Sequence, residues 1–192
     1  MNFSWMEPKY IFAVVVLVMV ICIPVGIYLE RRKKKTLALR NSFGTEYDRA
    51  VLVHGSEKEA EAKLTDRKTR VENLKIRELA PTERVRFLAE WQTVESRFLD
   101  HPKGAVTEAD ELVSALLLAR GYPVSAFDQR AEDISVDHPA LMESYRSAHG
   151  IAVRTGAVQA TTEELRTAMI HYRAIFDELV LVQALSVQKS AA

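Results

Sequence analysis

Cysteine is nearly absent from this 192-residue chain, in which Cys22 is the only one. A lone cysteine cannot form a disulfide within the chain, so nothing favours an oxidising compartment. We expect Cys22 to pack as a small apolar side chain; palmitoylation or a disulfide-linked dimer are the alternatives. Glycine and proline are also scarce, with seven and six residues, and this scarcity predicts helices.

Recognisable catalytic motifs are absent as well. The chain contains no P-loop, no nucleophile elbow, no glycine-rich phosphate cradle and no His-Glu-x-x-His spacing. These absences lower the expectation of enzyme activity without excluding it. The sequence therefore predicts no cofactor.

An uncharged apolar run occupies residues 10–29. Twenty residues at about 1.5 Å each give about 30 Å of helix, which matches the hydrocarbon thickness of a bilayer. A cleaved signal peptide would have a shorter core and a small-residue cleavage site, so a retained transmembrane helix is the better prediction.

A basic block follows this run and consists of Arg31, Arg32, Lys33, Lys34 and Lys35. Because basic flanks stay cytoplasmic, we expect a short external N-terminus and a cytoplasmic C-terminal domain at the plasma (inner) membrane. The block is interpreted first as a topology signal, and second as a contact for anionic lipid headgroups.

A nucleic-acid partner is not expected. Six of the 26 Lys and Arg and two of the 26 Asp and Glu precede residue 36, which leaves 20 basic against 24 acidic side chains in the remainder. This mildly acidic remainder lacks the broad basic face that phosphate binding requires.

Amphipathic helices fill the chain beyond the membrane, so the predicted fold is all-α, an antiparallel helical bundle after a transmembrane helix and a charged linker helix. The expected organisation is an external N-terminus (1–9), the transmembrane helix (10–29), a basic juxtamembrane segment (30–42), a charged helical stalk (43–80), the bundle (81–183) and a frayed tail (184–192).

One predicted helix, near 82–99, places four large apolar residues on a single stripe: Phe87, Trp91, Val94 and Phe98. Core packing is the simpler interpretation of an aromatic stripe. The alternative is that these four residues form an interaction surface.

The tripeptide Asp-His-Pro occurs twice, each time before a predicted helix, and comprises Asp100 and His101, then Asp137 and His138, with the proline that follows. Capping explains it well, because proline suits the first helical turn and Asp or His before it accepts from free N–H groups. No metal site is predicted; these four residues are the candidate ligands if one exists.

The chain also carries five further recognisable stretches: LRNSFGTEYD (39–48), FLDHP (98–102), RGYP (120–123), DHP (137–139) and TEELR (162–166). Together they resemble a group of uncharacterised bacterial proteins that have one N-terminal span and a helical domain of about this size. The resemblance implies a bacterial source and this architecture, and it supplies no activity or binding residues.

Two classes of function are therefore expected. The leading hypothesis is a membrane-anchored helical interaction or scaffold module that binds a protein partner at the cytoplasmic face, with homo-oligomerisation through the span or stalk as a further possibility. The alternative is a small-molecule or metal-dependent activity that uses the Asp-His-Pro turns.

Overall fold

The computed structural model describes residues 8–123, 125–157 and 160–190, with side chains described for 12, 16–123, 125–154 and 160–180. These ranges contain eight α-helices, a single 3₁₀ turn and no β-strand, which confirms the predicted all-α class. The helices are α1 (Pro8–Phe43), α2 (Thr45–His54), α3 (Glu57–Glu72), α4 (Pro81–Arg97), α5 (Pro102–Ala119), α6 (Phe127–Asp137), α7 (Met142–Ala157) and α8 (Thr162–Ser190), with the 3₁₀ turn at Pro139–Leu141.

The chain divides into two compact units, Met1–Ser42 and Phe43–Ala192. The first unit consists of most of α1, a continuous helix that includes Pro24. Its described side chains between 16 and 29 are exposed, and so are the five side chains of the basic block.

Within the described part of the chain, no helix combines the length and the apolar character that crossing a bilayer requires. Five side chains of the predicted transmembrane helix, at positions 10, 11 and 13–15, lie outside the described residues. The same holds for residues 1–7 of the predicted external N-terminus and residues 191–192 of the predicted tail. The transmembrane helix stays a prediction.

Helix ends in the second unit follow the start and stop signals of the sequence. Ser56 Oγ accepts from the Glu59 N–H at 3.2 Å and begins α3, and Gly55 ends α2 with φ 75°. Thr161 and Glu164 form a capping box at the start of α8, because each side chain accepts from the other residue's backbone N–H.

The α6 helix continues to Asp137, because Ile134 and Ser135 are buried and no proline intervenes before Pro139. The α8 backbone stays helical to Ser190, which includes residues 184–190 of the predicted frayed tail.

The core of the second unit is centred on α5, which packs against α4, α7 and α8, while α7 and α8 also pack against each other. The apolar stripe of α5 is buried and includes Ala105, Ala109, Leu112, Val113, Leu116 and Leu117. One face of α8 is buried as well and includes Leu165, Met169, Tyr172, Phe176 and Leu179. Burial of large apolar side chains at about 1.5–3 kcal/mol each drives this packing.

The segment predicted as a stalk, 43–80, belongs to the second unit instead. Its helices α2 and α3 pack on each other, and α3 packs on α6. Arg67, which interrupts the apolar seam of α3, is buried and donates to Glu132 Oε1 at 2.8 Å, while Arg70 Nε donates to Asp133 Oδ1 at 2.7 Å. Ion pairs from Arg67 and Arg70 therefore attach α3 to α6, alongside the buried apolar side chains of Ala60, Leu64 and Val71.

We predict that Asp133→Ala lowers the free energy of unfolding by about 2 kcal/mol. The buried Asp133 carboxylate accepts hydrogen bonds from Arg70 and Gln129, and the substitution removes both bonds. Urea titration of the full chain in detergent, followed by Trp fluorescence, measures the change. The control is Glu72→Ala, which removes an exposed pair with Lys68 and should cost less than about 0.5 kcal/mol. Equal effects of the two variants would contradict the assignment.

Gly121 is required where the chain leaves α5. Its φ is 99°, and a Cβ at this position would lie 2.4 Å from the carbonyl oxygen of Lys75. The close approach is fixed by a neighbouring hydrogen bond, in which the Arg77 N–H donates to the Arg120 carbonyl at 2.8 Å. The segment between α3 and α4 thus lies directly on the end of α5.

Gly121→Ala should therefore lower the free energy of unfolding by at least about 2 kcal/mol, since alanine is strained at positive φ and also clashes with Lys75. Gly104→Ala is the matched control, because its Cβ would have 4.0 Å of clearance inside α5 and should stabilise the helix by about 0.5–1 kcal/mol. Thermal unfolding monitored by circular dichroism measures both, and a neutral Gly121 variant would show that this contact is not tight.

Candidate functional site

The predicted aromatic stripe lies mainly in the core. Phe87, Trp91 and Val94 are buried, and the Trp91 ring stacks on Phe176 with 4.7 Å between centroids. These three side chains are therefore unavailable to a partner, which confirms core packing for them and shows that the alternative, an interaction surface, is wrong at these positions. Phe98, at the end of the stripe, is half-buried and reaches an open groove.

The groove lies between α4 and α8 and has a volume of about 380 Å³. We call it the α4–α8 groove, lined by Glu95, Phe98, Arg166, Met169, Ile170 and Arg173. The two helices run in opposite directions, because Trp91 meets Phe176 and, one turn further along α4, Glu95 meets Arg173. Beside that ion pair, the apolar side chains of Phe98, Met169 and Ile170 form the floor of the groove.

The two arginines of this groove differ in how closely neighbouring carboxylates pair with them. Arg173 donates to Glu95 at 2.7 Å and to Asp177 at 2.8 Å, and these two carboxylates raise the pKa of its guanidinium. Arg166 lies 3.9 Å from Glu163, and both of these side chains are largely exposed. Arg166 is thus the loosely held cation beside the apolar floor, which includes the 60% exposed Ile170.

The groove can bind an apolar side chain that stands next to a carboxylate. Its volume falls in the lower part of the range of ligand sites, and a solvent-facing guanidinium can receive a carboxylate with two hydrogen bonds. Helix-in-groove recognition uses apolar anchors spaced one turn apart. Of the residues that line the groove, the sequence predicted only Phe98 as part of a surface. The residues from α8 were not predicted as part of a binding surface.

A polar network joins four helices elsewhere in the unit. Tyr172 on α8 donates to Asp110 on α5 at 2.8 Å, and the Nδ1 of His149 on α7 lies 3.3 Å from the same oxygen. Phe127 on α6 stacks on the His149 ring at 3.7 Å. Since a carboxylate only accepts, the His149 Nδ1 carries the hydrogen. Burial raises the pKa of Tyr145 beside this network to about 12, and burial with the Asp110 charge raises that of Tyr172 further, so both phenols stay neutral.

The two Asp-His-Pro turns occupy different surroundings. Both prolines begin a helical turn as predicted, but neither His101 nor His138 caps through its side chain. His101 is exposed; His138 is largely buried with its Nδ1 3.4 Å from Glu178 Oε1, and Asp137 accepts from the Tyr122 hydroxyl at 2.7 Å. Where the structure describes side chains, it contains no group of three or more His, Cys, Asp or Glu that could hold a metal ion.

No known protein family, curated protein or solved structure matches the chain. The resemblance to bacterial single-span proteins therefore stays an expectation. The case for function rests on the geometry of the second unit and on the apolar run.

The His138 environment predicts a pH dependence. Burial, and then the charge of Arg120, lower the pKa of His138 below its ordinary 6.5, with Glu178 opposing. The imidazole of His138 therefore binds a proton at a higher pH in the unfolded chain than in the folded chain. As the pH falls below about 6.5, protonation favours the unfolded state, and the contribution of His138 to stability is lost. We expect the free energy of unfolding to drop between pH 7.5 and 5 in the native chain.

Urea titrations across this pH range test the expectation. His138→Gln should show a smaller drop, because glutamine does not titrate, while the exposed His101→Gln should keep the native slope. Identical slopes in all three proteins would rule out His138 as the source.

Proposed function

We propose that this protein is a membrane-anchored helical interaction module whose second unit binds a protein partner at the cytoplasmic face of the plasma membrane. The observation that carries the anchor is the surface of α1. Six consecutive apolar side chains, from position 16 to position 21, are exposed. Because six residues span more than one turn, they leave this stretch of helix no polar face.

The basic block supports the proposed orientation. All five of its side chains are exposed directly after the apolar run, where lysine and arginine favour the cytoplasmic side. Anionic headgroups would add about 1 kcal/mol per basic residue near the surface. The anchor then restricts the second unit to a thin layer and raises its effective concentration toward other membrane-bound proteins.

The α4–α8 groove supports the binding role. It presents Phe98 and Ile170 together with the loosely held Arg166, a combination suited to an amphipathic helix that carries an acidic residue. On its inner side, α8 is tied to α5 by the hydrogen bond that the Tyr172 hydroxyl donates to Asp110.

We predict that a fluorescent reporter active only in the cytoplasm will be active when fused after Ala192, and that an export-dependent phosphatase fused there will be inactive. Replacing the five residues of the basic block with glutamine should shift the balance toward export, because the charge bias is removed. The single change Arg40→Gln is the control and should preserve the native pattern. Activity of the exported reporter on the native chain would overturn the orientation.

Retention in the membrane is the second half of this test. The native chain should remain in the membrane pellet after an alkaline carbonate wash, whereas the paired change Val18→Arg and Ile21→Arg should release most of it, since charges are costly at bilayer depth. A native chain found in the wash would overturn the anchor.

A further inference from the structure

A second exposed apolar surface lies on α2. Leu52 is 84% exposed and Val53 is 66% exposed, and Asp48 stands one helical turn before Leu52. We call these three residues the α2 ridge. Asp48 and Leu52 also line a hollow of about 440 Å³ between α2 and α7.

The surroundings of the ridge are acidic. The walls of the hollow bring together three carboxylates and two guanidiniums, namely Glu46, Asp48, Glu143, Arg49 and Arg146. Glu46 and Arg146 are held by a pair of hydrogen bonds, one of them 2.8 Å long, and so neutralise each other. No hydrogen bond described in the structure reaches the Asp48 side chain.

The α4–α8 groove described above offers the opposite charge. Its Arg173 is paired with Glu95 and Asp177, whereas Arg166 has only the exposed Glu163 at 3.9 Å and is the cation that its neighbours hold loosely. The spacing also matches. Asp48 and Leu52 are four residues apart on α2, and Arg166 and Ile170 are four residues apart on α8, so both surfaces place a charge and an exposed apolar side chain one turn apart.

We propose that the α2 ridge of one copy of this chain docks in the α4–α8 groove of a second copy. Leu52 then contacts Ile170 and Phe98 of the second copy, and Asp48 pairs with its Arg166. The inference rests on the proposed function, since it names the partner that the interaction module binds.

The contact is heterologous, because ridge and groove share no helix. Each copy that engages its ridge keeps a free groove, so association continues into a row or closes into a ring. Copies held in one bilayer face the same side, and their confinement favours a contact that is weak in dilute solution.

The test uses the full chain with donor or acceptor fluorescent proteins fused after Ala192, reconstituted in phosphatidylcholine vesicles at several protein-to-lipid ratios. Energy transfer should rise with the density of the native chain. Asp48→Arg and Arg166→Asp, both at exposed positions, should each weaken association at least fivefold. The double variant restores the pair with its charges exchanged and should return to within twofold of the native chain.

Matched controls separate the pair from general charge effects. Asp128→Arg on α6 and Lys103→Glu on α5 reverse the same charges at exposed positions outside both surfaces and should leave energy transfer unchanged. Circular dichroism confirms that each variant is folded.

Density-independent energy transfer in the native chain, or a double variant that stays as weak as the single ones, would overturn self-docking. Flotation of the same vesicles measures separately whether the chain is anchored in the membrane. A chain that floats without associating refutes this inference and leaves the proposed anchor intact, whereas a chain that fails to float refutes the anchor itself.

Discussion

The second unit depends on the burial of α5. This helix contacts three others, so its apolar stripe must be wide, and alanines at 105 and 109 leave room for neighbouring helices to approach closely. Its two ends are then fixed by tight backbone geometry. Pro102 begins the helix. Gly121 follows its C-terminal end, where the backbone lies against the carbonyl of Lys75. A helix buried on several sides imposes the positions of α4, α7 and α8, and hence the groove between α4 and α8.

At the periphery of the second unit, ion pairs hold helices together, whereas apolar burial does so at its centre. The α3 helix has few apolar residues, and its attachment to α6 relies on Arg67 and Arg70 against Glu132 and Asp133. Such pairs stabilise only when hydrogen bonds compensate the loss of water, which the short distances here provide. This explains why a segment that looks solvated in sequence is part of the folded unit.

Local signals in the sequence were sufficient for the helices and their ends. The Ser56 cap, the Thr161 capping box and the buried stripes of α5 and α8 depend on residues three or four positions apart, so periodicity alone identifies them. The packing of the 43–80 segment on the rest of the second unit could not be predicted from local signals, because it depends on partners more than sixty residues away. The α4–α8 groove itself was not predicted for the same reason. Of its lining residues the sequence named only Phe98, because Arg166 and Ile170 lie on a helix more than sixty residues further along the chain.

The α4–α8 groove and the α2 ridge are both small, so the strength of a contact between them decides how often the groove would be occupied. In a freely diffusing protein, an exposed ion pair and one or two buried side chains offset little more than the entropy of association, so such surfaces would stay empty most of the time. A bilayer anchor would change this balance by confining the chain to two dimensions, which raises its effective concentration toward other anchored copies. The apolar surface of α1 and the modest size of both contact surfaces are therefore consistent with each other: an anchored domain needs no large interface to associate.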